Sequence, residues 1–341
     1  MLMSESPLAV SLTTTRPPWQ QELARAVRDP AELLRLLELP ATLLEPARRA
    51  ARLFPLRVPR SYLARMERGN LEDPLLRQVL PLTAELDPAP GFVTDPVGDL
   101  GASKGAGVLH KYHGRVLLIT TGACAINCRY CFRRHFPYAQ ANAAAGQWHS
   151  ALRYIAQRTE VEEVILSGGD PLTLADRRLA QLVTQLVDIP HIRRLRIHTR
   201  LPVVLPARVT DELVEWFAGS RLQPIMVLHT NHANELDATV TSAVKRLREA
   251  GVTMLNQTVL LRGVNDEAMA LTALHQRLFD SGILPYYLHL LDRVAGARHF
   301  AITQDRAREL HRQMARRLPG YLVPRLVQEI EGAPGKHWLP P

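Results

Sequence analysis

From residue 115 onward the chain alternates short apolar runs with longer amphipathic stretches. The runs are RVLLIT (115–120), EVILSG (163–168), IRRLRIHT (192–199), PIMVLHT (224–230), VTMLNQTVLL (252–261) and LPYYLHLL (284–291). Each is short, apolar and followed by loop-forming residues, the pattern of a buried strand. Between them, apolar residues recur at three- and four-residue spacing and predict helices near 147–158, 175–187, 208–218, 236–250 and 266–280, with a last one near 303–317. Strand–helix alternation at this spacing argues for an α/β protein with a parallel sheet and right-handed crossovers. Six units are too few for the closed eight-stranded TIM barrel but suffice for an open, partial (β/α)6 barrel. Such folds collect their chemistry in the loops after the carboxyl ends of the strands. The unusual residues lie there: three cysteines after the first run, Ser167-Gly168-Gly169-Asp170 after the second and His198-Thr199-Arg200 at the end of the third. His229 to His232 close the fourth run, Asn256-Gln257 lie late in the fifth, and Asp292 follows the sixth.

The text before the barrel is different. Residues 1–15 read as a disordered N-terminus, and 16–107 as a helical extension with a connector. Periodic apolar residues from Trp19 to about Arg68 predict helices, with Asp29-Pro30 as an N-cap followed by proline in the first turn. Residues 71–107 are rich in Pro, Gly and Asp and predict an irregular connector. The barrel is expected over 108–318 and a separate C-terminal segment over 319–341.

At 341 residues, 46% hydrophobic and 22% charged, the chain has the composition of a globular protein with a sizeable core. No run approaches the roughly 18 to 20 apolar residues of a membrane span. The N-terminus lacks a basic region followed by an apolar core, so a cytoplasmic protein with reduced thiols is expected. The net charge of +9 comes from scattered residues, not blocks, and reads as a solvated surface without a nucleic-acid partner. Of the basic residues 38 are Arg and only four are Lys: 104, 111, 245 and 336. In so arginine-rich a chain, a lysine invites the question of what arginine cannot do there.

All three cysteines, Cys124, Cys128 and Cys131, fall within eight residues. Thiolates so close together suit a soft metal centre. A zinc site completed by His135 is one reading and an inert or disulfide-forming cluster another. An iron–sulfur cluster normally takes four cysteines, so three would leave one iron open to a ligand. Gly168-Gly169-Asp170 permits close backbone approach and offers a carboxylate to an ammonium group. Lys336, in the terminal EGAPGKHWLPP, is either a solvated tail residue or an amine able to form a Schiff base.

The Cys-x3-Cys-x2-Cys loop after the first strand of a partial barrel resembles the radical S-adenosylmethionine superfamily. From about residue 60 to Lys336 the chain resembles the lysine 2,3-aminomutase family, through HKYHGRVLLITTGACAINCRYCFRRHF, LSGGDPL, RIHTRLPVVLPARV, HTNHANEL, LNQTVLLRGVND and the terminal PGK. The resemblance implies a [4Fe-4S] cluster on Cys124, Cys128 and Cys131, S-adenosyl-L-methionine chelated at its open iron, and pyridoxal 5'-phosphate. Lys336 matches the family's Schiff-base lysine, and Lys111, Tyr112 and Arg115 its pyridoxal phosphate segment. Ser167, Gly168, Gly169 and Asp170, with His229 and Gln257, match its S-adenosylmethionine site. Arg133 matches the arginine for the substrate carboxylate, Asp292 a carboxylate for the lysine ε-ammonium, and Glu329 stands at the second such position.

What the resemblance implies is an isomerase that converts L-lysine to (R)-β-lysine by a 5'-deoxyadenosyl radical. Lysine-fermenting members run on past their cofactor lysine and carry extra cysteines for zinc between subunits. Here the chain stops five residues after Lys336 without a fourth cysteine, so no zinc is expected. EIEGAPGK is most similar to the branch that makes β-lysine for elongation factor P, which implies a link to that factor and its lysyl-tRNA-synthetase-like ligase. A reductant such as flavodoxin or ferredoxin follows from the chemistry, and a homo-oligomer is allowed for. The alternatives are an aminomutase serving free-lysine catabolism or osmolyte formation, a glutamate 2,3-aminomutase, and a zinc-stabilised RNA-binding module.

Overall fold

A computed structural model describes residues 16–140 and 148–340. Its frame is one nine-stranded sheet whose strands lie side by side in chain order. They are β1 (Val108–Tyr112), β2 (Arg115–Thr121), β3 (Glu163–Gly168), β4 (Arg194–Thr199), β5 (Gln223–His229), β6 (Thr253–Val259), β7 (Leu284–His289), β8 (Arg325–Gln328) and β9 (His337–Trp338). The six expected strands are β2 to β7, each parallel to the next. Helices His149–Ala156, Asp176–Val187, Asp211–Ala218, Ala238–Glu249, Ala268–Asp280 and Gln304–Ala315 follow the strands in turn. The fold is therefore the expected partial barrel of α/β class.

Three strands were not expected. β1 pairs antiparallel with β2, β8 adds a seventh parallel strand beside β7, and β9 pairs antiparallel with β8. Through β8 and β9 the stretch 319–340 thus joins the barrel sheet. Leu339 is buried and donates its N–H to Leu326 O at 2.9 Å, so the tail beyond Lys336 is tied down. Four residues (β8) or two (β9) are too few to show a period, and β1, VLHKY, carries its polar residues on the exposed half.

Alternation within the strands sorts two faces. Val164, Leu166, Leu195 and Ile197 are fully buried in the core. Their neighbours Ile165, Ser167, Arg196 and His198 line an interior cavity instead. Between the first and last parts of the sheet the gap is bridged by side chains: Tyr112, ending β1, donates its hydroxyl to Glu329 just after β8.

The N-terminal extension forms short helices, Pro18–Ala24, Pro30–Leu36, Leu44–Leu53, Arg60–Leu63 and Pro74–Arg77. Asp29 caps the second as expected, accepting from Ala31 N at 3.0 Å. Prolines at 17, 30, 40, 55, 59 and 74 keep them short. Trp19, Leu33, Tyr62 and Leu75 belong to the same core as barrel residues Leu179, Val203 and Val204. Buried Arg208 stacks on Trp19 at 4.5 Å, and Arg65 donates to Val203 O at 2.6 Å. These helices cap the barrel beside the turns after β4. The expected disorder of residues 1–15 lies outside the described residues.

Candidate active site

The barrel encloses a cavity of about 620 Å³ lined by residues of β1 to β7 and the loops that follow them, together with Glu329 and Lys336. The residues assigned to cluster, cofactor or substrate line it: Cys124, Cys128, Cys131, Arg133, Ser167 to Asp170, His229, Gln257, Lys111, Tyr112, Arg115, Asp292, Glu329 and Lys336; His135, Asn256 and His232 do not.

At one side lies the cysteine loop. All three cysteines are free thiols. Burial, then Cys128, pushes Cys131 up to about 11, and burial, then Cys131 and Asp170, raises Cys124. Both are neutral thiols until a metal displaces their protons. The loop is held by the one after β3: Gly169 N donates to Thr121 O at 2.7 Å and Asp170 N to Ala123 O at 2.8 Å. A Cβ on Gly169 would lie 2.4 Å from Ala123 O, and Gly168 adopts φ +118° with its Cβ position 2.7 Å from Thr121 O. The glycines thus serve a backbone-to-backbone approach that seats the cysteine loop. Gly169→Ala is expected to cost about 1–3 kcal/mol, as an overpacked core does. Urea denaturation checks this, an unchanged midpoint being the contrary result.

The Asp170 carboxylate accepts from Leu172 N at 3.1 Å, Thr199 Oγ1 at 2.7 Å and Arg200 N at 2.8 Å. It ties the loop after β3 to the end of β4. The sequence suggested a ligand-facing carboxylate; its oxygens are already engaged by these three donors.

His135 is exposed and donates its Nε2–H to Ala295 O at 3.1 Å. Among the described residues no three His, Cys, Asp or Glu side chains converge on a single ion position.

At the other side stands Lys336. Its Nζ donates to Glu329 Oε2 at 2.8 Å and lies 5.7 Å from the centre of the Tyr287 ring. Although burial opposes it, the charge of Lys336 and donation from Lys336 and Tyr112 hold Glu329 below the usual carboxylate range. Arg115 stacks on the Tyr112 ring at 4.7 Å. Asp292, after β7, accepts no side-chain hydrogen bond from any described residue. Burial pushes it up to about 7, with Lys336 pulling it down and Glu329 pushing it further up.

Several cavity residues were missed or left without a role by the sequence reading. Asp99, from the connector, binds both Lys111 and Arg133 at 2.7 Å. Arg200 donates to Cys128 Sγ at 2.8 Å, to Gln78 Oε1 at 2.6 Å, to Glu235 Oε2 at 2.7 Å and to Tyr62 Oη at 3.0 Å. His198, His229 and His289 are held neutral, His229 at about 3, by burial and the surrounding cations. Gln257 Nε2 meets His229 Nε2 at 3.0 Å, while the buried Nε2 atoms of His198 and His289 have no partner among the described residues. Such orphaned donors or acceptors call for polar groups of a ligand. Position at a strand end was the available signal for His198 and Arg200; Asp99 gave none beyond turn composition.

Residues 118–274 match the Radical SAM superfamily. A protein named L-lysine 2,3-aminomutase from Escherichia coli is 54% identical over 95% of each chain. One of the same name from Haemophilus influenzae is 49% identical over 93% of this chain and 94% of its own. Another, from Clostridium subterminale, is 32% identical over 93% of this chain and 76% of its own. Among solved structures, a radical SAM methyltransferase from Sphaerobacter thermophilus is similar at 17% identity, with a TM-score of 0.47 over 65% of this chain and 68% of that one. Fold, cysteine loop and match together define a radical S-adenosylmethionine enzyme of the aminomutase, and so isomerase, class. The chain belongs to the L-lysine 2,3-aminomutase family. Membership implies a [4Fe-4S] cluster, S-adenosylmethionine and pyridoxal phosphate. The residues present suit all three: three thiols on one loop, orphaned imidazole nitrogens in the cavity wall, and a lysine beside a cationic segment. Among the described residues no helix is long and apolar enough to cross a membrane.

Proposed function

We propose that this protein is an L-lysine 2,3-aminomutase producing (R)-β-lysine. The observation that carries the reading is Asp292: a carboxylate lining the cavity, without a side-chain hydrogen-bond donor among the described residues, beside a second carboxylate at Glu329. With Arg133 in the same cavity, the walls offer a cation for a carboxylate and anions for a distal ammonium, the charge pattern of lysine. A glutamate substrate would bring a carboxylate to Asp292.

In this reading Cys124, Cys128 and Cys131 hold the cluster. Ser167, Gly168, Gly169, His229 and Gln257 face S-adenosylmethionine, with Asp170 positioning their loop. Lys111, Tyr112 and Arg115 hold pyridoxal phosphate, and Lys336 anchors it. Arg133 orients the substrate carboxylate, and Asp292 and Glu329 the ε-ammonium. When bound, the cofactors supply the radical and the electron sink that the amino shift requires. The protein contributes orientation and a shielded cavity, fixing both ends of lysine so that one hydrogen meets the radical.

The resemblance to the elongation factor P branch supports supply of β-lysine to that factor through a lysyl-tRNA-synthetase-like ligase. It also supports a flavodoxin- or ferredoxin-type reductant and a cytoplasmic setting.

The test is anaerobic reconstitution with iron and sulfide, then incubation with S-adenosylmethionine, pyridoxal phosphate, dithionite and L-lysine. β-Lysine detected by mass spectrometry is the expected product; cleavage of S-adenosylmethionine without it would reject the substrate. Adding ligase and unmodified elongation factor P tests the destination through the mass of the factor.

The state of Asp292 gives a pH dependence. Only the ionised carboxylate pairs with an ammonium, so substrate binding must deprotonate Asp292 below about pH 7. The KM for lysine is expected to rise by up to about tenfold per pH unit below that value and to level off above it. The facing charges are Lys336, Glu329, Lys111 and Asp99. Asp292→Asn should raise KM about 100-fold, as lost charge pairing does, and flatten the profile. A profile unchanged in the variant would remove Asp292 from the substrate.

A further inference from the structure

The connector over residues 71–107 contributes one side chain to the cavity's charge pattern that no motif marked. Asp99 is 2% exposed. Its Oδ1 accepts from Lys111 Nζ and its Oδ2 from Arg133 Nε, each at 2.7 Å. Its own N–H donates to Asp95 Oδ1 at 2.9 Å, and Leu100 N donates to Asp95 Oδ2 at 2.9 Å, so the loop carrying it is fixed locally. Lys111 donates also to Val97 O at 2.6 Å, two residues earlier on the same loop. The connector therefore grips two cations from two elements, β1 and the loop after β2.

The grip constrains Arg133 in a particular way. Nε is taken by Asp99, one terminal nitrogen donates to Ser167 Oγ at 3.1 Å, and the guanidinium lies 4.7 Å over the Phe132 ring. Its second terminal nitrogen has no partner among the described residues, and Arg133 lines the cavity. An arginine pinned through Nε, one Nη and its face presents the remaining donors in a fixed direction. An isolated buried aspartate beside two cations could be a structural ion pair and nothing more. Here, though, both cations it holds reach the one cavity where ligands are expected, and each keeps other contacts that could support it in the fold.

We propose that Asp99 is a positioning residue that sets the direction of Arg133 toward the substrate carboxylate and of Lys111 toward the phosphate of the aldehyde cofactor. It acts through those cations and touches neither ligand. The inference rests on the aminomutase reading of Arg133 and Lys111. Residues that orient ligand-binding groups in this manner typically change affinity by 10- to 100-fold when replaced.

The experiment compares wild-type protein with Asp99→Asn, which keeps the shape and removes the charge. Two quantities are read: steady-state lysine turnover in the reconstituted enzyme, and pyridoxal phosphate affinity of the cluster-free protein by equilibrium dialysis. The expected result is a lysine KM about 10- to 100-fold higher, kcat within about threefold of wild type, and cofactor affinity at least about fivefold weaker. A lower melting temperature with KM and cofactor affinity unchanged overturns the proposal and leaves a structural ion pair. Should Asp99→Asn fail to fold, Asp99→Glu carries the test, since it retains charge but displaces it by one methylene. A KM about three- to tenfold higher is then expected, and an unchanged KM overturns the proposal. Wild-type protein that makes no β-lysine would reject the aminomutase reading itself, a result separate from either outcome for Asp99.

Discussion

Cys128→Ala is expected to take up no iron–sulfur cluster and, unlike Cys124→Ala, to be less stable even without metal. The first effect is shared by all three cysteines, because a cluster short of a thiolate has no stable seat on the loop. The second follows from what surrounds Cys128. Its sulfur accepts from Arg200 at 2.8 Å and packs against two apolar clusters of the core. Arg200 is 5% exposed, and burial would lower its charge, but Cys128 and Glu235 hold it firmly protonated. Removing the sulfur leaves a buried donor unpaired, at a cost of about 1–3 kcal/mol. No side-chain hydrogen bond reaches Cys124 among the described residues, so its loss should cost less. Cys128→Ser, which keeps an acceptor for Arg200 but lacks the thiolate, should recover most of the stability while remaining free of cluster. Iron and sulfide content measure the first effect and urea midpoints of the metal-free proteins the second. Equal midpoints for the two alanine variants would show that the Arg200 contact contributes nothing.

The same network shows where sequence reading reached and where it stopped. β2 to β7 were legible because each buries one face against helices and the other against a cavity, which leaves long apolar runs. β8 and β9 were not, being short and fixed by pairing with strands already placed. Local spacing revealed the cysteines and a scarce residue type revealed Lys336. Arg200 and Asp99 owe their importance to contacts across 72 and 34 residues of sequence, with Cys128 and Arg133 respectively. No local pattern encodes such a contact. The reading of Asp170 stopped for the same reason: its partner Thr199 lies 29 residues away, across one strand–helix unit. Two of the four groups around Arg200 come from the N-terminal extension: Tyr62, in a stretch legible as helical, and Gln78, at the end of a short helix inside the stretch read as an irregular connector. The cap therefore reaches the cysteine loop through a charged side chain as well as through apolar packing.

Lys336→Arg is expected to abolish β-lysine formation, by at least about 1,000-fold, while leaving the fold intact. The argument turns on what arginine can and cannot replace. Lys336 pairs with Glu329 at 2.8 Å, and Glu329 also accepts from Tyr112. Arginine keeps a cation beside this carboxylate, so the ion pair that holds Glu329 where Tyr112 of β1 reaches it persists. It cannot lose its proton and so cannot form a Schiff base. Lys336→Ala would confuse the two effects, because it also takes from the part-buried Glu329 its hydrogen-bonded cation, leaving only Lys111 at 3.9 Å, at a cost of about 1–3 kcal/mol. Borohydride treatment with pyridoxal phosphate should add the cofactor's mass to wild-type protein and not to Lys336→Arg. Cleavage of S-adenosylmethionine to 5'-deoxyadenosine should continue in the variant, since among the described residues no hydrogen bond or ion pair links Lys336 to the cysteine loop. Melting temperatures within about 2 °C of each other would assign the loss to chemistry, given the few degrees that about 1 kcal/mol moves a protein of this size. Retained turnover, or a borohydride adduct on another lysine, would take the cofactor away from Lys336. The candidates would then be Lys104, Lys111 and Lys245. Of these only Lys111 lines the cavity, already held by Asp99 and Val97.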